Sequence, residues 1–260
     1  MIETAAVRKE LRRGRGAISA AVSRYDRHER VGFDDGWRKG TAEEDRESPL
    51  HTVVSPDASR SVITRNTSPD VPFDRSINPY RGCEHGCIYC FARPSHAWLG
   101  LSPGLDFETR ITAKLQAPEL LEKELARPGY TVRPMAIGTN TDPYQPVERR
   151  LKIMRGVLEV LARTRHPVSI VTKSHLVTRD VDLLADLARD GLVRVFLSVT
   201  TLDQTLARAM EPRASTPARR LDAIGTLRDA GVPVGVMVAP VIPALTDHEM
   251  EAILEAAAEM

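Results

Sequence analysis

The chain is poor in the residues that brace or anchor a fold from outside. Of its 260 residues three are cysteine, and all three fall between Cys83 and Cys90. Thiols that close together cannot staple distant segments. A disulfide-framed secreted scaffold is therefore excluded, and a reducing, cytoplasmic setting is expected. Net charge is also lacking: 36 Lys+Arg against 35 Asp+Glu leave +1, so no global field gathers a polyanion and any nucleic-acid contact must come from a local patch. No apolar run of signal-peptide length follows the basic residues of MIETAAVRKELRRGRG, and the most apolar stretch, 231–245, is short and broken by prolines. No membrane association is expected. What the chain does have is length enough to bury a substantial core without staples, as one large domain or a domain with an appendage.

Residues 1–70 are charged, poor in periodic apolar positions and punctuated by RRGRG, DDG and SPD. They read as an irregular N-terminal arm preceding a core domain over 71–260. Arg8, Lys9, Arg12, Arg13, Arg15, Arg24, Arg27 and Arg30 face four acids in the first 30 residues. Tyr25 alone is interleaved with them, which is too little for a stacking platform, so a solvated tail is expected rather than a phosphate-binding patch. From about residue 130 short β-branched runs alternate with amphipathic stretches, which is βα repetition. MAIGTN (135–140), PVSIVT (167–172), VRVFLSV (193–199) and GVPVGVMVAP (231–240) are the strand candidates. Leu151, Met154, Leu158 and Leu161 mark one helix; Val181, Leu184, Leu187 and Ala188 mark a second, closed by Gly191. Thr216 with Pro217 opens a third, and Thr246 with Glu249 forms a capping box for a fourth. Together with a first strand near residue 76, the pattern predicts an α/β fold whose parallel strands form a complete or partial barrel. No GxGxxG follows any of these strands, which removes the commonest signature of a doubly wound sheet.

All three cysteines sit in Ser76-Ile-Asn-Pro-Tyr-Arg-Gly-Cys83-Glu-His-Gly-Cys87-Ile-Tyr-Cys90-Phe-Ala-Arg, spaced C-x3-C-x2-C. Thiolates are soft ligands suited to iron-sulfur clusters, zinc or copper(I). A structural zinc site wants four protein ligands; no second cysteine pair exists, and His85 is the one local candidate for a fourth. Three thiolates can instead hold three irons of a cubane and leave the fourth open, which is where a metal site acts on another molecule.

The loop Cys83, Cys87, Tyr89, Cys90 resembles the C-x3-C-x-aromatic-C of the radical S-adenosylmethionine (radical SAM) superfamily. RGCEHGCIYCFARPSH, GTNTDPYQP, VTKS, SVTTLD and APVIPALTD are most similar to the branch containing spore photoproduct lyase, over about residues 75–260. That resemblance implies a partial (β/α) barrel, a 4Fe-4S cluster on Cys83, Cys87 and Cys90, and S-adenosylmethionine across the strand ends. It implies reductive cleavage of that cofactor to a 5′-deoxyadenosyl radical, which abstracts hydrogen from a substrate, a nucleic-acid component being the leading expectation. It also implies a one-electron donor such as flavodoxin or ferredoxin. Cofactor contacts are expected from Thr141 and Asp142 (ammonium), Lys173 (carboxylate), Ser198 and Thr200 (ribose or carboxylate), Ala239 and Tyr89 (adenine), with Arg213 a further anion-binding candidate. The lyase branch places a cysteine hydrogen donor after the second strand; this chain has Asn140 there.

Two other features weigh on this reading. Gly100-Leu-Ser-Pro-Gly104 matches the G-x-S-x-G elbow of hydrolases, but Pro103 has no N–H for an oxyanion hole and no strand precedes it, so SPGLDF is expected to be a turn. Five parallel strands are one fewer than the six of the usual radical SAM core, so the last βα unit is expected to be missing. A zinc- and nucleic-acid-binding protein and a cluster-binding but inactive truncated form are the alternative expectations.

Overall fold

The computed structural model describes residues 14–23, 25 and 50–260. In chain order the strands are β1 (Val53–Pro56), β2 (Ile63–Arg65), β3 (Arg75–Ile77), β4 (Tyr80–Arg81), β5 (Arg110–Ala113), β6 (Met135–Ile137), β7 (Val168–Thr172), β8 (Val193–Ser198) and β9 (Val234–Met237). The helices are α1 (Leu105–Thr109), α2 (Ala117–Leu125), α3 (Glu148–Leu151), α4 (Ile153–Arg163), α5 (Val181–Arg189), α6 (Gln204–Met210), α7 (Pro217–Asp229) and α8 (Met250–Glu259). None of the described helices is long and apolar enough to cross a membrane.

Six strands form one sheet in the order β2-β3-β6-β7-β8-β9. β3 through β9 pair in parallel, and β2 runs antiparallel along the edge beside β3. The sheet is open, since β2 and β9 do not pair, and its five parallel strands are those expected from the apolar runs. The order fits a partial parallel (β/α) barrel. A smaller sheet, β1-β5-β4, leads into the cysteine loop. The core lies between strands and helices: Ile77, Met135, Ile137, Ile170, Val195 and Leu197 meet Leu121, Met154, Leu158, Leu184, Ile224 and Leu227, all buried. Each such side chain contributes about 1.5–3 kcal/mol on leaving water. Parallel strands advance in one direction, so every loop leaving a strand's C-terminal end arrives on the same rim.

Local geometry departs from the sequence expectation at four places. The stretch 1–70 is not irregular throughout, because β1 pairs with β5 and β2 with β3. The helix expected from Leu151 is split at Lys152 (φ 54°), where Glu148 Oε1 accepts the Met154 amide at 3.1 Å and gives α4 a fresh start. Thr246 and Glu249 form no capping box. Thr246 Oγ1 accepts the Ile242 amide at 2.9 Å, while Glu249 accepts Thr201 Oγ1 and the Leu202 amide, both at 2.6 Å. Glu249 thereby ties α8 to the loop after β8. In 102–107 the turn ends at Gly104, and Leu105 begins α1. By contrast Gly191 (φ 67°) closes α5 as expected, its amide on Ala188 O and that of Leu192 on Leu187 O.

Candidate metal and cofactor site

The cysteine loop is held by buried polar groups from distant segments. Gln145 bridges it, Oε1 accepting the Glu84 amide (2.9 Å) and Nε2 donating to Gly82 O (3.1 Å). Glu84 is itself buried and accepts Thr52 Oγ1, the Val147 amide and Arg213 Nη2 at 2.7, 2.6 and 3.1 Å. Arg93 donates to Gly86 O, to Cys87 O and to Glu108 Oε1, and Glu108 accepts the amides of Gly16 and Ala17 at 3.0 and 2.8 Å. Arg15, expected in a solvated tail, is buried and donates to Glu108 O at 2.9 Å. The other basic residues of that tail lie outside the described residues. Gly82 and Gly86 both take left-handed φ, 80° and 69°, and a Cβ on Gly86 would stand 2.8 Å from Glu108 Oε2.

All three cysteines are free thiols. Burial pushes Cys83 well above the usual thiol value. Burial, joined by the nearby Glu211 charge, pushes Cys87 up to about 12. These are the values of metal-free thiols; a bound cation inverts them. Among the described residues no three His, Cys, Asp or Glu side chains converge to hold a single metal ion. His85 is buried and engaged elsewhere, with Nδ1 3.3 Å from Asp142 Oδ2. Among the described residues the three thiols therefore stand without a fourth protein ligand. This donor set fits a cubane with one open iron, whose thiolates are more widely spread than those of one zinc.

Beside the loop, five of the eight expected cofactor contacts belong to one network. Lys173, directly after β7, donates from Nζ to Ser198 Oγ at 2.6 Å, and Ser198 Oγ donates to Ala239 O at 3.3 Å. Lys173 Nζ also stands 5.8 Å from the Tyr89 ring centroid. Tyr89 and Thr200 both donate to Glu211, a residue sequence reasoning missed. Its signal was an acid two positions before Arg213, in Met-Glu-Pro-Arg.

The remaining three contacts stand apart from that network's centre. Asp142 is taken up by protein donors: Oδ1 accepts Thr172 Oγ1 (2.7 Å) and the Tyr144 amide (2.9 Å), and Oδ2 accepts the Lys173 amide (2.7 Å). Burial raises its pKa, but the His85 charge and these hydrogen bonds outweigh burial and hold it at about 2. Asp142 thus fixes the backbone that aims Lys173. Thr141 Oγ1 donates to Tyr80 O at 3.1 Å. Arg213 spends one guanidinium nitrogen on Glu84 and is about one-third exposed, so part of its fork still faces outward. Asn140 is exposed, its amide on Asn78 Oδ1. The serine of G-x-S-x-G has no nucleophile setting: Ser102 Oγ donates to Ala21 O at 2.7 Å.

Cys83, Cys87 and Cys90 all fall inside the one family match found, since the model of the radical SAM superfamily matches residues 77–257. The chain belongs to the radical SAM superfamily. Members of that superfamily use a 4Fe-4S cluster and S-adenosylmethionine. Among curated relatives, an uncharacterised protein of Mycobacterium tuberculosis is 45% identical over 177 residues, covering 68% of this chain and 52% of that one. An uncharacterised protein of Methanocaldococcus jannaschii is 29% identical, covering 66% of this chain and 62% of its own length. The chain thus spans little more than half the length of the relatives it matches. In fold it is similar to spore photoproduct lyase variants. One matches with a TM-score of 0.59 at 18% identity over 80% of this chain and 58% of the lyase. Another, solved with bound AdoMet and dinucleoside spore photoproduct, matches with TM-score 0.59 over 80% of this chain and 57% of its own.

Proposed function

We propose that this chain is a radical SAM enzyme that cleaves S-adenosylmethionine at a 4Fe-4S cluster and uses the resulting radical on a substrate with a nucleic-acid component. The carrying observation is the union of two preformed features on one rim: three free thiols in a clamped loop, and a Lys173-centred polar network beside them. When bound, the cluster and cofactor supply one-electron cleavage of the sulfonium to a 5′-deoxyadenosyl radical. Cys83, Cys87 and Cys90 hold the cluster. Lys173 offers its ammonium to the cofactor carboxylate; Ser198 and Thr200 offer hydroxyls to carboxylate or ribose; Tyr89 and Ala239 border the adenine. Thr141 and Asp142 support the ammonium side, Asp142 chiefly by fixing the Lys173 backbone. Arg213 remains an anion contact through its outward nitrogens. The protein's own work is to orient these groups and exclude water. A one-electron donor such as flavodoxin or ferredoxin completes the cycle.

Two surface features support the nucleic-acid part of this reading. Arg149, Arg150 and Lys152, in the same β6-to-α4 connection as Thr141 and Asp142, make no ion pair among the described residues, and the two arginines are exposed. At the other end of α4, by contrast, Arg163 pairs with Glu122 (2.8 Å) and Arg165 with Asp186 (2.7 Å). Phe91, next to Cys90, is 79% exposed and offers a face for a base to stack on. The spore photoproduct lyase solved with a dinucleoside lesion points the same way, although Asn140 stands where that branch places its cysteine donor.

The test is anaerobic reconstitution of the chain and of Cys83→Ala/Cys87→Ala/Cys90→Ala, with iron and sulfide analysis, followed by dithionite and S-adenosylmethionine. The expected outcome is about four irons per chain and 5′-deoxyadenosine from the unsubstituted chain alone. Zinc in place of iron overturns the reading. For the substrate class, Arg149→Ala/Arg150→Ala/Lys152→Ala is expected to weaken single-stranded oligonucleotide binding and flatten its salt dependence by up to about 0.7 per lost phosphate contact.

A further inference from the structure

We propose that Glu211 is a positioning residue of the cofactor site: a buried fixed anion that sets Tyr89 and Lys173 in place and biases the adjoining cluster toward its oxidised state. Glu211 ends α6, and its carboxylate is fully buried. Groups from four separate parts of the chain converge on it: Tyr89 from the cysteine loop, Lys173 after β7, Thr200 after β8 and Arg220 from α7. Arg220 is itself 2% exposed in its side chain and locked by Ser215 O at 2.7 Å and Ser198 O at 2.9 Å. A buried carboxylate needs such a partner, and here the partner is immobile. Burial raises the Glu211 pKa, but the Arg220 and Lys173 charges and the hydrogen bonds from Arg220 and Thr200 outweigh it and keep the group ionised.

The geometry is that of a support rather than a substrate contact. Lys173 Nζ stands 3.8 Å from Glu211 but makes its 2.6 Å hydrogen bond to Ser198. The carboxylate therefore steadies the ammonium and leaves donors free for an incoming carboxylate. Tyr89 is gripped at its hydroxyl, which fixes its ring within the cysteine loop. The end of α6 is hydrogen-bonded to the cysteine loop, Met210 O accepting the Ile88 amide at 3.0 Å, and this sets the Glu211 charge beside Cys87. An electron added beside a fixed anion meets repulsion, so removing that anion moves the potential of a cluster held by Cys87 upward.

The inference rests on the proposed cluster and cofactor chemistry, and its test separates the two. The reconstituted chain, Glu211→Gln, Lys173→Gln and the double variant are compared by iron content, thermal melting, S-adenosylmethionine affinity from equilibrium dialysis, and cluster potential from an EPR-monitored titration. Glu211→Gln is expected to keep its iron, to bind S-adenosylmethionine about tenfold more weakly, as loss of a supporting outer partner does elsewhere, and to show a more positive potential. Because Glu211 acts partly through Lys173 and partly through Tyr89, the double variant should lose less than the product of the two single losses. Unchanged affinity and potential in Glu211→Gln, or losses that multiply in the double variant, overturn the inference. Should Glu211→Gln fail to fold, Tyr89→Phe removes the same hydrogen bond and keeps the ring. Weaker binding with full iron then supports the inference, and binding equal to the parent overturns it. An unsubstituted chain that takes up no iron or no cofactor instead overturns the proposed function on which the inference rests.

Discussion

The cysteine loop and the β9 margin solve opposite problems. Along 82–87 the loop's backbone meets buried and half-buried side chains, with Gln145 on Gly82 and Glu84, Arg93 on Gly86 and Cys87, and Glu108 behind Gly86. At the other margin β9 has one neighbouring strand among the described residues, β8, and all four of its residues are half-buried. Val241, Leu245, Met250 and Leu254 beyond it are exposed. A loop that must present three thiols at a set spread benefits from being ordered before any metal arrives, because the ordering cost is then already met by protein contacts. A sheet margin carries no such requirement.

The comparison can be tested at both ends. The largest effect is expected from Gly86→Ala. Forcing a side chain into a left-handed position costs about 1–2 kcal/mol, and the pinned Glu108 carboxylate at 2.8 Å adds to it. Urea unfolding of the metal-free protein should show a loss of about 2 kcal/mol or more. A variant as stable as the parent would mean the loop is looser than its hydrogen bonds indicate.

Asp142 gives an effect of similar or smaller size that depends on pH. Its pKa in the fold, about 2, lies below the ordinary aspartate value. The stability it contributes is therefore present above that ordinary value and is lost as pH falls toward about 2. Between about pH 5 and 2 the parent should lose about 2 kcal/mol that Asp142→Asn does not. Parallel stability curves for the two proteins across that range would remove Asp142 from the loop's support. The smallest effect is expected at Leu254→Ser, within about 0.5 kcal/mol by the same urea measurement. A loss matching that of Gly86→Ala would erase the contrast between the two margins.

The parallel strands were legible because Met135–Ile137, Val168–Thr172 and Val193–Ser198 are β-branched or apolar runs set off by turns and amphipathic helices. The short β1, β2 and β4 were not, since two to four residues carry no periodicity. Lys173 was legible as a cation placed directly after a buried strand. Glu211 was not, because an acid at a helix end is ordinarily solvated, and only the arrival of Arg220, Thr200 and Tyr89 makes it a buried anion. The expected capping box failed for a related reason: Glu249 lies at the right spacing from Thr246, but the Leu202 amide and the Thr201 hydroxyl offered it partners across the fold.

From its order of residues alone this protein is determined to have three thiols in one loop, a series of parallel strands and a lysine at a strand end. These depend on spacing and on periods of two or 3.6 residues, which act over short range. Tertiary structure decided which charges meet. Arg213 reaches the Glu84 carboxylate across 129 residues, and Tyr89 reaches the buried Glu211 carboxylate across 122. Such pairs form because a charge leaving water must find its partner wherever packing has brought one, and no local pattern records where that will be.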